Sequence, residues 1–139
     1  NIILRLEGGI LSYLADIDRT NNPYEVGLDR MVDLDQEDDF IGKEALREIR
    51  LKGPAKKLMG AEIQGDPIKV FNEERWPVSI NGKKVGSMNA LVYSPRLDKN
   101  ICYTILNIEH AKSGQEIIIS SPEKELIATT VDLPWLERA

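Results

Sequence analysis

Two periods divide this chain. Up to residue 52 the apolar positions recur at helical spacing or in short clusters, and from Lys56 onward they alternate with polar ones. Ile2, Ile3 and Leu6, with Arg5 and Glu7 between them, predict a helix that Gly8-Gly9 stops. It is shorter than the roughly twelve to fifteen residues at which an isolated helix becomes marginal in water, so its apolar face is expected to pack elsewhere. The chain therefore reads as the back part of a longer protein. Ile10, Leu11, Tyr13 and Leu14 form a short apolar segment, and Asp18-Arg19-Thr20-Asn21-Asn22-Pro23 a loop. Tyr24 to Val32 is expected as a strand or irregular extended piece. Ala45, Leu46 and Ile49 share a face opposite Lys43, Glu44, Arg47, Glu48 and Arg50, which predicts an amphipathic helix over Phe40 to Leu51 stopped by Gly53-Pro54.

Beyond a boundary at residues 51–55 everything reads β. Strands are expected at Leu58 to Ile63, Leu91 to Tyr93, Ile101 to Ile108, Gln115 to Ser120 and Leu126 to Val131. Pro77 to Ile80 and Lys83 to Gly86 flank Asn81-Gly82, the pair preferred in a two-residue type I′ hairpin. Short strands with regular turns and no intervening helix predict a fold that is mainly β with minor α, its sheet a small antiparallel barrel or sandwich over 56–139. Residues 1–55 precede it as a separate region.

Composition narrows the picture. The 139 residues suffice for one domain with a real core, and the single Cys102 has no internal partner, which points to a reducing, intracellular setting. A net charge of −5 and the lack of a basic stripe interleaved with aromatics argue against nucleic acid. No apolar run approaches the roughly 18 residues that suggest a membrane span. Asp33, Asp35, Glu37 and Glu44 fall at EF-hand positions, but Asp38 stands where that loop needs glycine. Asp38 and Asp39 are expected instead to cap the following helix.

Self-contained chemistry is absent from the pattern. One histidine and one cysteine exclude a zinc cluster, a Cys-His pair and a serine triad, so no catalytic or metal-ligating residue is assigned. His110 is expected at the surface and Cys102 as a buried small apolar group. Trp76 and Trp135 are expected as core or interface anchors.

Several motifs carry a resemblance: Arg5-Leu6-Glu7-Gly8-Gly9, with Tyr13 and the turn ending in Pro23; Asp39-Phe40-Ile41-Gly42-Lys43-Glu44-Ala45-Leu46; Leu58-Met59-Gly60; Tyr93-Ser94-Pro95-Arg96-Leu97; and Asp132-Leu133-Pro134-Trp135. In this order they resemble the aminomethyltransferase family, the T-protein of glycine cleavage and its folate-dependent demethylase relatives. The resemblance implies a C-terminal antiparallel β-barrel preceded by the tail of a folate-binding α+β domain. It implies tetrahydrofolate as cofactor, a catalytic carboxylate upstream of this chain, a lipoyl carrier protein of the glycine cleavage system as partner, and a cytoplasmic location. By position it matches Arg138 to an arginine that meets folate's glutamyl carboxylates, and Tyr13 and Asp16 to residues at or beside the pocket. Asn1 falls where the T-protein has a second folate-contacting arginine. That departure, with Gly8-Gly9-Ile10-Leu11-Ser12-Tyr13, also resembles dimethylsulfoniopropionate demethylase-like proteins. Leu14 replaces the family's usual glycine, so a different local backbone is expected there. Arg5 and Glu7 are expected as a structural ion pair or helix-end contacts. A non-catalytic barrel that docks on a partner is the remaining alternative.

Overall fold

A computed structural model describes residues 1–136. Helix α1 spans Ile2–Glu7 and α2 Lys43–Lys52; strands β1 to β6 are Lys56–Ile63, Trp76–Ile80, Lys83–Ser94, Lys99–Asn107, Glu116–Ser120 and Glu125–Val131. The strands pair antiparallel in the order β1-β4-β3-β2-β5-β6, and β1 meets β6 to close a barrel. Closure decides between barrel and sandwich. Among the described residues no helix is long and apolar enough to cross a membrane.

Alternation along the strands builds two apolar layers. Met59, Ala61, Met88, Cys102, Leu106 and Ile119 are among the side chains that fill the interior. Their neighbours Leu58, Ile101, Tyr103 and Ile105 face outward, yet they are buried too, because Leu6 and Ile3 of α1, Leu11, Leu97, Leu133 and Trp135 cover them. Strand β4 is therefore buried on both faces from Asn100 to Leu106. At about 25 cal/mol per Å2 of apolar surface removed from water, this second layer makes α1 part of the barrel's stability rather than an appendage.

The hairpin forms as its sequence dictates. Asn81 and Gly82 take φ of +50° and +76°, the left-handed pair that a type I′ turn needs. Glycine at position 60 has a different reason: a Cβ there would lie 2.8 Å from the Trp135 ring and 2.9 Å from Val131. Gly60 is the floor on which the tryptophan lies.

Three expectations require correction. Tyr24 to Val32 is not a strand: residues 23–27 form turns and Asp29–Met31 a 3-10 helix. The cause is local, since Asn22 Oδ1 accepts from Glu25 N (3.1 Å) and Glu25 Oε2 from Asn22 N (3.3 Å), a reciprocal capping pair around Pro23. Second, α2 begins at Lys43, three residues late, behind Gly42 at φ +92°, and neither Asp38 nor Asp39 caps it. Lys43 instead turns back, buried, and its Nζ donates to the carbonyls of Gln36 (2.7 Å) and Asp38 (3.0 Å). The acidic run wraps a lysine with backbone oxygens and leaves its carboxylates in water. Third, Leu91 to Tyr93 is no separate strand but the far half of β3, which runs on from the hairpin through a bulge at Ala90 (φ +52°).

Candidate functional site

Residues 8–17 connect α1 to the loop at Asp18, and a group of buried polar contacts holds them against the barrel. Asp16 is fully buried; its Oδ2 accepts from Ser12 N at 2.7 Å and pairs with the Arg5 guanidinium. Arg5 also donates to Ile10 O at 3.2 Å. The barrel supplies the rest: Asn89, buried beside the β3 bulge, donates from Nδ2 to Asp16 O at 3.2 Å. The Tyr103 hydroxyl shares its proton among the carbonyls of Arg5, Leu6 and Ile10, at 3.2, 3.3 and 3.2 Å. Burial pushes the Tyr103 phenol well up, the Asp16 charge adds to this, and Arg5 partly offsets it.

Glu7 forms the second half of the anchor. Its carboxylate is 1% exposed, accepts from Ser94 Oγ at 2.5 Å, and has Arg96 Nε 3.7 Å from its other oxygen. Ser94 Oγ in turn accepts from Leu97 N at 3.2 Å. Arg5 and Glu7 are thus structural, as expected, although each pairs with another residue and not with the other. The third contributor is residues 133–136: Leu136 N donates to Glu7 O (3.2 Å), Pro134 packs under Gly9, and the Trp135 ring stacks on Tyr103 with centroids 6.2 Å apart. Stretches that lie far apart in sequence, Arg5 to Gly9, Leu58 to Gly60, Ser94 to Leu97 and Leu133 to Trp135, meet on one wall.

Two clefts open beside this wall, of about 130 Å3 and 580 Å3, and share Gly9, Leu11, Leu28 and Arg30 in their linings. The smaller adds Val26, Leu58 and Leu133 as apolar wall, Lys57 as a second cation and Asp132 as a carboxylate. Arg30 is exposed and spends one N–H on Gly27 O at 3.1 Å. A cleft that combines leucine side chains with a guanidinium can hold a flat ring system that bears a carboxylate.

The residues singled out from sequence are distributed unevenly. Asp16 lies inside the anchor, and its Oδ1 is buried without a hydrogen-bond partner. Tyr13 is 58% exposed, and Asn1 caps α1 by accepting from Ile3 N at 3.0 Å. Neither of these nor Asp16 lines the two clefts. Arg138 lies outside the described residues. Leu14 stands at φ +74°, a conformation that glycine adopts freely and leucine seldom does. Cys102 is buried as expected, with its thiol pushed up by burial, whereas His110 is partly buried in a 3-10 turn, 3.3 Å from Glu109. Arg30, Asn89 and Tyr103 were not marked by any sequence pattern; Ser94 belonged to a motif whose contact with Glu7 no linear spacing reveals.

The family model of the glycine cleavage T-protein C-terminal barrel domain matches residues 56–137, the part of the chain that forms the closed barrel. The chain belongs to the aminomethyltransferase family. It is 36% identical over 133 residues to the aminomethyltransferase of Herpetosiphon aurantiacus, covering 95% of this chain and 36% of that protein. Against the dimethylsulfoniopropionate demethylase of Ruegeria pomeroyi it is 32% identical over 123 residues, or 88% of this chain and 33% of that protein. The crystal structure of aminomethyltransferase T from Bartonella henselae superposes with a TM-score of 0.82 at 22% identity, over 96% of this chain and 37% of that one. The chain spans about a third of the length of the curated relatives it matches.

Proposed function

We propose that this chain is the C-terminal part of a tetrahydrofolate-dependent aminomethyltransferase, which transfers a one-carbon unit to tetrahydrofolate, and that residues 8–17 and the barrel wall close over and support the folate pocket. The observation that carries the reading is the anchored loop: the pair between Arg5 and buried Asp16, and the Tyr103 hydroxyl on the carbonyls of Arg5, Leu6 and Ile10, fix it beside clefts lined by leucines and by Arg30. The residues present suit such a ligand. Leu11, Leu28, Leu58 and Leu133 offer a wall to its rings, and Arg30 and Lys57 offer charge to its carboxylates. Tetrahydrofolate, when bound, supplies the nitrogen that receives the one-carbon unit. Asn1, Tyr13 and Arg138 complete the proposed contacts, with Arg138 on the glutamyl carboxylates. The donor is a lipoyl carrier protein's aminomethyl group, and the setting is the cytoplasm.

A second reading is a demethylase of a small methylated donor. Asn1, a helix cap where the T-protein has an arginine, and the similarity to the Ruegeria demethylase support it. Calorimetric titration of tetrahydrofolate into the longer protein that contains this chain tests both readings. Arg138→Ala and Arg30→Ala are each expected to weaken binding at least tenfold, about 1.4 kcal/mol. A longer protein that gives no heat, and no competition from folate analogues, would remove the one-carbon function and leave the barrel as an interaction module.

A further inference from the structure

A third cleft, of about 360 Å3, lies farther along the barrel's outer face, and it shares no residue with the clefts beside Gly9. Strand register creates it. Lys56 on β1 pairs with Asn107 on β4, and Ser87 on β3 pairs with Ile105, so all four share the barrel's outer face. Lys84 and Arg75 complete a lining that contains three cations and no carboxylate, in a chain with 23 acidic residues against 18 basic ones. Among the described residues neither Lys56 nor Lys84 enters an ion pair.

The far side of the cleft is braced. Asp18 Oδ1 accepts from both the amide and the hydroxyl of Thr20, at 2.8 and 2.6 Å, while its Oδ2 meets Arg75 Nη2 at 3.2 Å. One carboxylate therefore folds the loop at 18–21 and fixes the arginine at the cleft's edge. Asn21 Oδ1 is committed to Asp18 N at 3.0 Å, which leaves its amide N–H2 to donate. With Ser87 and Asn107, the cleft presents cations and neutral donors together, the inventory that oxyanions require.

We infer that this cleft is an anion site for a small ligand carrying two or more oxyanion groups, phosphate or carboxylate, held by Lys56, Lys84 and Arg75. The inference does not depend on the folate reading, because no residue is common to the two sites. The test is titration of pyrophosphate and of citrate into the 139-residue chain at about physiological ionic strength, where diffuse attraction is screened beyond about 8 Å. Amide chemical shifts are followed at Thr20, Asn21, Ser87 and Asn107. Saturable binding of either anion, with shifts centred on those residues, is expected. K56Q/K84Q should weaken it at least tenfold, whereas Lys112→Gln, at an exposed lysine outside the cleft, should leave it unchanged. Tighter binding of pyrophosphate assigns phosphate, and tighter binding of citrate assigns carboxylate. The inference is overturned if neither anion saturates, or if Lys112→Gln weakens binding as much as K56Q/K84Q does while thermal melts show all variants folded.

Discussion

The interior of the barrel and its covered outer wall are both buried, but they are stabilised by different physics. Inside, Met59, Val78, Met88, Leu106, Ile117 and Ile119 meet other apolar groups, and the layer is held chiefly by packing. On the wall the apolar patch of Leu6, Ile101 and Tyr103 is ringed by buried charge: Glu7 against Ser94, Asp16 against Arg5, and Asn89 on the Asp16 carbonyl. An apolar interior tolerates similar shapes, whereas a buried carboxylate accepts only a partner that satisfies it. The interior therefore sets how stable the barrel is, and the wall sets which segment may dock on it.

The largest effect expected from this contrast is in the interior. Leu106→Ala deletes a fully buried side chain and should cost about 2–5 kcal/mol, read as a lower denaturant midpoint by far-UV circular dichroism. Ser94→Ala should cost less, about 1–3 kcal/mol, because it strips the buried Glu7 carboxylate of its hydroxyl donor. Its signature should be local, a shift in tryptophan fluorescence as Trp135 loosens while the barrel's ellipticity persists. If the serine variant proved as damaging as the leucine variant, the division between the two layers would collapse.

Tyr103→Phe sharpens the comparison through pH, at a cost of about 1 kcal/mol near neutrality. The folded phenol is held above its ordinary value of 10.0. Its contribution is therefore fully present below about pH 10, and it is lost as pH rises from there towards the folded value, where the unfolded chain binds fewer protons. The variant should lack this alkaline loss, and the Cys102 thiol, also raised by burial, cancels in the difference. Smallest of all is Asp18→Asn. Hydrogen bonds from Thr20, and to a lesser degree Arg75, hold the Asp18 carboxyl below its usual 3.8. The brace is thus present above that pH and lost as pH falls through the lower folded value, so the parent should show an acid-dependent change at Thr20 amide shifts that the variant lacks.

Much of the barrel was legible because strand burial alternates with the sequence. The turn at Asn81-Gly82 and the stop at Gly53 have local causes that a linear reading can see. The turn at Asn22-Pro23-Tyr24-Glu25 was not read, because its reciprocal capping pair lies across the border between the expected loop and the expected extended piece. The start of α2 was not legible, because Lys43 is recruited by carbonyls of a loop whose shape no spacing gives. For the wall, Arg5, Glu7 and Asp16 have the composition of a solvated surface, and only tertiary contacts with Ser94, Tyr103 and Asn89 bury them. The alternation that marks β4 inward also hides that its outward face is covered.

The seam between β1 and β6 has a consequence for the order in which the molecule forms. Gly60 pairs with Val131 and Ile63 with Ala128, so the barrel's first strand waits for its sixth. Contacts of such sequence separation are slow to form, since loop closure must precede any gain from them. Until the seam shuts, β1 offers an unsatisfied edge on the side away from β4, and Trp135 has yet to reach Gly60. A barrel lacking residues 125–131 is therefore the species most exposed to pairing with a neighbour.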